Sequence, residues 1–286
     1  MSRRPLAVGV DGSAESLDAA DWAAREALRR GLPLHVLHAG ADPGAGPAHL
    51  PELDAPAARA EAALREIPLQ LTYAHPALEI RAERDARAPV EALIAAAADA
   101  TLLVLGSRGL TGLAGHLVGS VATAVCERAA TPVVLVRAGG AAAGGDDLRP
   151  VVVGLDLAHP SDALFEAAFA TAAARGVPLR VVHAWTLPAL RGYAPGAALP
   201  GDATARESAK FTALDRALHP WRHKFPQVDA GERLVYGHPG HQLVKASTAA
   251  GLVLVGRPVG AGPHLGPTTH TLIRHAACPV AVVPHD

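Results

Sequence analysis

Residues 106–120, GSRGLTGLAGHLVGS, place five glycines in fifteen positions directly after the apolar run TLLVL. Glycine lets a backbone close on a ligand that a Cβ would hold away. The stretch ends where SVATAVCERA (120–129) begins a helical pattern. A helix start offers unpaired N–H groups and a partial positive charge, and both suit a phosphate. In that setting Gly106 and Gly109 form the tight exit from a strand, Gly119 permits close approach, and Ser120 adds a hydroxyl donor. Arg108 is placed to reach a phosphate, or equally to be solvated. Taken alone, the composition also suits a surface loop that binds nothing. It is neither a Walker A loop, lacking Gly-Lys-Ser/Thr, nor a GxGxxG fingerprint.

Other chemistry-bearing residues are weaker. HPGH (238–241) fits the HxGH pattern of nucleotidylyltransferases, but it follows a third strand and not a first. His219 and His223 have i,i+4 spacing, yet Pro220 between them is expected to spoil it, and no carboxylate or cysteine completes a metal set. The fifteen histidines read as scattered surface residues. Cys126 reads as a buried structural thiol, because no base lies beside it to make it a nucleophile.

These residues must be positioned by a large core. The 286 residues are half hydrophobic, with 26 basic and 27 acidic side chains dispersed along the chain. No basic tract exists, which argues against nucleic acid or an anionic membrane as partner. Two distant cysteines without a CxxC support neither a disulfide framework nor a zinc ribbon. The N-terminal MSRRPLAVGVDGS lacks the apolar stretch of a signal peptide, and no run of 18 apolar residues occurs. A cytoplasmic protein is expected.

The chain repeats itself. PLAVGVDGS…GLPLHVLHA (5–39) aligns with PVVVGLDLA…GVPLRVVHA (150–184), pairing Asp11 with Asp156, Gly31 with Gly176 and His38 with His183. Likewise 89–108 aligns with 239–258, and RAATPVVLV (128–136) with HAACPVAVV (275–283). Two copies of one domain follow, over 1–138 and 149–286, joined by the Gly- and Ala-rich 138–149.

Within a copy, strands alternate with helices. LAVGV, LHVLHA (34–39), LEIRAER (78–84), TLLVLG and PVVLV (132–136) read as strands. Helices are expected over 53–66, 89–100 and 120–129, and after the N-cap candidate Ser13 with Leu17, Ala20, Ala24 and Leu28 on its apolar face. Gly31 should cap that helix and Pro33 should stop it. Near-continuous apolar strands between helices imply a parallel sheet covered on both faces. Each copy is therefore expected to be a doubly wound, Rossmann-like α/β domain of five parallel strands, with its ligand beyond the carboxyl ends of the strands. The closing strands, 132–136 and 279–283, should be sheet edges. Bare apolar edges invite pairing, either within the chain as a pseudo-dimer or between two chains as a homodimer.

The spacing Gly106-x2-Gly109-x9-Gly119-Ser120 resembles the G-2x-G-9x-G-S/T motif of ATP-binding universal stress proteins. VGVDGS (8–13), VLHA (36–39) and ATPVVLV (130–136) are similar to that family in order and spacing, and both copies share the likeness, as in its tandem-domain members. The resemblance implies ATP as the ligand, with or without Mg²⁺. It places Asp11 against the ribose or a metal-bound phosphate, Gly9 and Val10 on the wall, and Ala39 near the adenine. Gly106, Gly109, Gly119 and Ser120 would hold the phosphates, with Val121 following in the first helical turn. Ala122 stands where some relatives carry another hydroxyl. In the second copy GRPVGAGPHLGPTTH (256–270) is three residues shorter, and Pro267 replaces the serine, removing a hydroxyl and an N–H. The first copy is therefore expected to bind ATP, and the second weakly or not at all. The family reading is a nucleotide-dependent stress-response regulator without substantial catalysis. A slow ATPase or an adenylyl-transferring hydrolase is the alternative.

Overall fold

The computed structural model describes residues 3–40, 51–107, 118–137, 139, 148–186, 200–260 and 262–286. Arg108 and Gly109 lie outside them, as does most of 138–149. Ten strands form one sheet in the order β3-β2-β1-β4-β5-β10-β9-β6-β7-β8. The first half comprises β1 (Leu6–Gly9), α1 (Ala14–Arg30), β2 (Leu34–Ala39), α2 (Pro51–Ala74), β3 (Ile80–Asp85), α3 (Pro89–Asp99), β4 (Leu102–Gly106), α4 (Ser120–Arg128) and β5 (Val133–Val136). The second repeats it with β6 (Val151–Gly154), α5 (Asp162–Arg175), β7 (Leu179–Trp185), α6 (Pro200–Lys224), β8 (Ala230–Tyr236), α7 (Pro239–Ser247), β9 (Leu252–Pro258), α8 (Pro267–His275) and β10 (Val280–His285). All pairings within each half are parallel. No helix among the described residues is long and apolar enough to cross a membrane.

Local sequence explains most boundaries. Ser13 accepts the Ser16 N–H as the N-cap of α1, and Gly31 ends the helix in the left-handed region at φ 61°. Ser161 and Gly176 do the same for α5. The buried face of α1 is Ala19, Ala20, Ala23, Ala24 and Ala27, whereas Leu17 and Leu28 are exposed at its margin. Small side chains let the helix axis approach the sheet, so the alanines and not the leucines define the face. Two helices also outrun their sequence signals. The α2 helix passes Pro68 to Ala74, and α6 passes Pro220, which therefore does not separate His219 from His223; their rings lie 4.7 Å apart. A proline inside a helix forfeits one hydrogen bond, but apolar burial on both sides offsets it. Ile67 and Leu71 flank the first, and Leu218 and Trp221 the second, with Trp221 stacked on Phe165 at 5.7 Å.

The expected edge strands meet within the chain. β5 and β10 pair antiparallel, with Leu135 opposite Val280, Val134 opposite Ala281 and Val133 opposite Val282. The edges left to the sheet are β3 and β8. Beside this seam α1 packs on α5, where fully buried Glu26 holds Arg175 of the other half at 2.9 Å together with Arg29 and Arg30 of its own helix. Arg30 also donates to Thr171, and the Arg175 guanidinium lies over the Trp22 ring. Burial opposes ionisation of Glu26, but the three arginines together hold its pKa below the ordinary carboxylate range. Removing one partner of such a pair costs about 3–5 kcal/mol, so Glu26→Ala should lower unfolding stability by about that amount in urea titrations. A depressed folded pKa lends stability above the unfolded value near 4.3, lost as pH falls through the folded value. The Glu26→Gln deficit should therefore be constant at neutral pH and shrink on acidification below about pH 4.

Candidate functional site

In each half β1 or β6 lies between two strands whose helices cross to opposite faces, the switch point at which doubly wound sheets bind ligands. A cavity of about 220 Å³ opens there in the first half. Gly9, Val10 and Asp11 enter it from the end of β1, Ala39 from β2, Gly106 from β4, and Gly119, Ser120 and Val121 from the start of α4. Eight residues singled out from sequence thus converge on one space. Ala122, noted from sequence as standing in place of a hydroxyl, also lines it; sequence reasoning missed Ser16 and the apolar wall of Leu37, Pro89, Leu93 and Leu105.

The loop that carries the glycine spacing is closed at its base. The Gly119 N–H donates to the Ser107 carbonyl at 2.9 Å, and the Ser107 N–H donates to Val136 at 2.7 Å. α4 therefore starts beside the end of β4. Gly119 is its N-cap and has no side-chain acceptor to offer, and Ser120, Val121 and Ala122, whose N–H groups have no acceptor within the helix, all line the cavity. The start of a helix is a place that favours an anion. Gly106 also lets the start of α1 lie against the end of β4: a Cβ would stand 2.8 Å from the Glu15 carbonyl carbon and 3.0 Å from its oxygen.

Asp11 leads into α1. Its Oδ1 accepts from the Ser13 N–H at 3.0 Å and from the Ser13 hydroxyl, while Gly12 turns at φ 78°. His38 Nδ1 donates to the Val10 carbonyl at 2.8 Å and pins the strand end that carries these residues. Its counterpart His183 makes the same bond to Leu155 at 2.9 Å and is buried. These two are not scattered surface histidines, and their equal place in both copies was the signal for it. Cys126, on the buried side of α4, has a thiol pushed up to about 12 by burial.

The model of the universal stress protein family matches residues 2–137 and again 148–284. Universal stress protein Rv2005c of Mycobacterium tuberculosis is 32% identical over 289 residues, covering 97% of this chain and 96% of its own. Rv2623 of the same organism is 30% identical over 97% of this chain and 95% of its own. The chain belongs to the universal stress protein family. Its fold also matches the crystal structure of a universal stress protein from Archaeoglobus fulgidus DSM 4304 over all of both chains, with a TM-score of 0.72 at 18% identity.

Within this universal stress protein the second half departs from the first where the glycine loop leaves the sheet. β9 runs on through Arg257 and Pro258, pairing with Pro284 and His285 of β10. The His285 ring lies where a Cβ of Gly256 would point, and the Val259 N–H donates to the His285 carbonyl. Pro267 occupies the first position of α8. The strand ladder has thus replaced the loop exit. Because the Glu15 carbonyl and Cβ, which cannot swing aside, meet the Gly106 position, Gly106→Ala should cost about 1–3 kcal/mol, the range for overpacking a close contact. Urea unfolding measures it, and Gly266→Ala, with nothing within 4 Å of its Cβ, is the tolerant comparison.

Proposed function

We propose that this universal stress protein binds one ATP per chain in the first-half cavity and acts as a regulator through that occupancy, without substantial turnover. The observation that carries the reading is the α4 start, Ser120, Val121 and Ala122, at one end of a cavity whose other walls are mostly apolar apart from Asp11 and Ser16. Phosphates take the helix start, and the base packs among Leu37, Leu93 and Leu105 near the Ala39 backbone. Gly106, Gly109 and Gly119 allow the close approach, Ser120 adds a hydroxyl, and Arg108 belongs to the same loop.

Asp11 is the single ionisable residue among the described lining residues. It is suited to holding Mg²⁺ as one carboxylate ligand, the remaining positions being filled by phosphate oxygens and water. That ion would neutralise phosphate charge beside the carboxylate. The residues of this chain bind and orient. Ser13 fixes the Asp11 carboxylate, His38 fixes the Val10 carbonyl, and α4 presents its donors.

Titration calorimetry of the full chain with ATP and Mg²⁺ should give a stoichiometry near one. Ser120→Pro, which copies the residue of the second half, should weaken ATP about tenfold through loss of an N–H and a hydroxyl. Its thermal stability should barely change, since proline is well tolerated at the first helical position. A stoichiometry near two, or turnover above about 1 s⁻¹ that Asp11→Ala abolishes, would displace this reading in favour of two equal sites or an ATPase.

A further inference from the structure

Besides the switch-point cavity of each half, a third cavity of about 320 Å³ lies on the seam between the halves. Its floor is the apolar face of the joined strands, where Val134 of β5 pairs with Ala281 of β10. Trp22 and Arg30 of α1 line one side, and Ala167 and Thr171 of α5 the other. Thr101 and Ala163 at its margin are exposed, so the space is open to solvent past them.

The repeat explains why there is space here. Trp22 corresponds to Ala167, and Arg30 to Arg175. On one side of the seam the Arg175 guanidinium lies over the Trp22 ring, 5.1 Å from its centroid, and that indole is buried. On the other side Arg30 reaches across to α5. Its Nη2 donates to Thr171 Oγ1 at 3.0 Å, and that hydroxyl donates to the Ala167 carbonyl at 2.6 Å. A guanidinium is thus presented on both sides. A methyl group stands at Ala167 where the first half has an indole, and the cavity takes up the difference.

The walls define what fits. The polar side chains around the space are already paired: Arg30 with Glu26 and Thr171, Thr101 with the Pro5 carbonyl, and Glu166 with Lys224. Recognition therefore falls to apolar contact and to the flat guanidinium of Arg30, which favours the face of an aromatic ring. Arg30 would repel a cationic ring, and Glu166 an anionic one. We infer that the seam cavity binds a small, uncharged aromatic molecule of the indole class, packed on Ala167 against Arg30 as Trp22 is packed against Arg175. Such a ligand touches both halves at once, so it binds only the joined sheet.

The test uses the full chain labelled with ¹⁵N-tryptophan, with unlabelled indole as the probe. Trp22, Trp185 and Trp221 give three indole N–H resonances, and that of Trp22 is assigned by its loss in Trp22→Phe. Indole should shift the Trp22 resonance saturably, with a Kd below about 1 mM, and should move Trp185 and Trp221 less. Ala167→Leu places a side chain in the space and should weaken indole at least about tenfold. Ala167→Trp supplies the ring itself and should abolish the shift. Its thermal stability should equal or exceed that of the unaltered chain, because cavity filling is stabilising where the space already exists.

If a variant fails to fold, the titration of the unaltered chain decides, its three resonances being assigned by through-bond correlation. A Trp22 resonance unmoved at about 1 mM indole overturns the inference, as does undiminished binding to folded Ala167→Leu. Equal shifts at all three tryptophans would mean general adhesion of indole to apolar surface, and would overturn it too.

Discussion

The antiparallel pairing of β5 with β10 is the constraint on which the rest of the molecule depends. The repeat equates Val133, Val134 and Leu135 with Val280, Ala281 and Val282. In the ladder Val133 faces Val282, Leu135 faces Val280, and Val134 faces its own counterpart Ala281. That is the pattern of an isologous two-fold contact, in which a patch meets its own copy. The α1–α5 contact obeys the same symmetry. Arg30 corresponds to Arg175 and Glu26 to Thr171; Arg175 pairs with Glu26, and Arg30 donates to Thr171. The seam thus has the form of a homodimer contact within one chain, and it turns two bare apolar edges into the middle of a ten-stranded sheet.

The seam also fixes where the cavities lie. Strands within each half are parallel and the joining pair is antiparallel, so the carboxyl ends of the halves point in opposite directions. The two switch-point cavities consequently open on opposite margins of the sheet and share no lining residue. One ligand cannot bridge them. Each half was free to change its site as long as the ladder and the helix contact beside it were kept.

The repeat and the alternation of strands with helices were legible because each has a local cause: β-branched runs, a serine cap, a left-handed glycine. Ser13 and Gly31 follow from neighbours a few residues away, whereas Asp11 meets Gly106 and Ser120 because β1 pairs with β4, a topology the doubly wound pattern implies. What escaped was set at a distance. Pro89 and Leu93 reach the cavity because α3 crosses the sheet, and their local pattern is that of any packed helix. Pro68 and Pro220 sit in helices whose length is dictated by apolar burial along the sheet. Leu17 and Leu28 looked like the core face of α1, but the positions buried against the sheet are taken by alanines, whose small side chains let the helix approach closely.

The second half's altered loop has a structural return in the first half. Ser107, where the first glycine loop begins, corresponds to Arg257. The Arg257 side chain is buried, and its guanidinium donates to the carbonyl of Ala129, the C-cap of α4. In the other direction Arg137 donates to the carbonyls of Ile273 and Arg274 at the end of α8. A cation at a helix C-terminus is favourable, as is an anion at its N-terminus. α4 is only nine residues long, so the residue that completes one end of it belongs to the second half while the other end faces the first cavity. Extending β9 goes with the altered loop exit of the second half and gives the first half the cap for the helix whose start lines its cavity. The asymmetry between the two cavities and the stability of the seam are thus joined at Arg257.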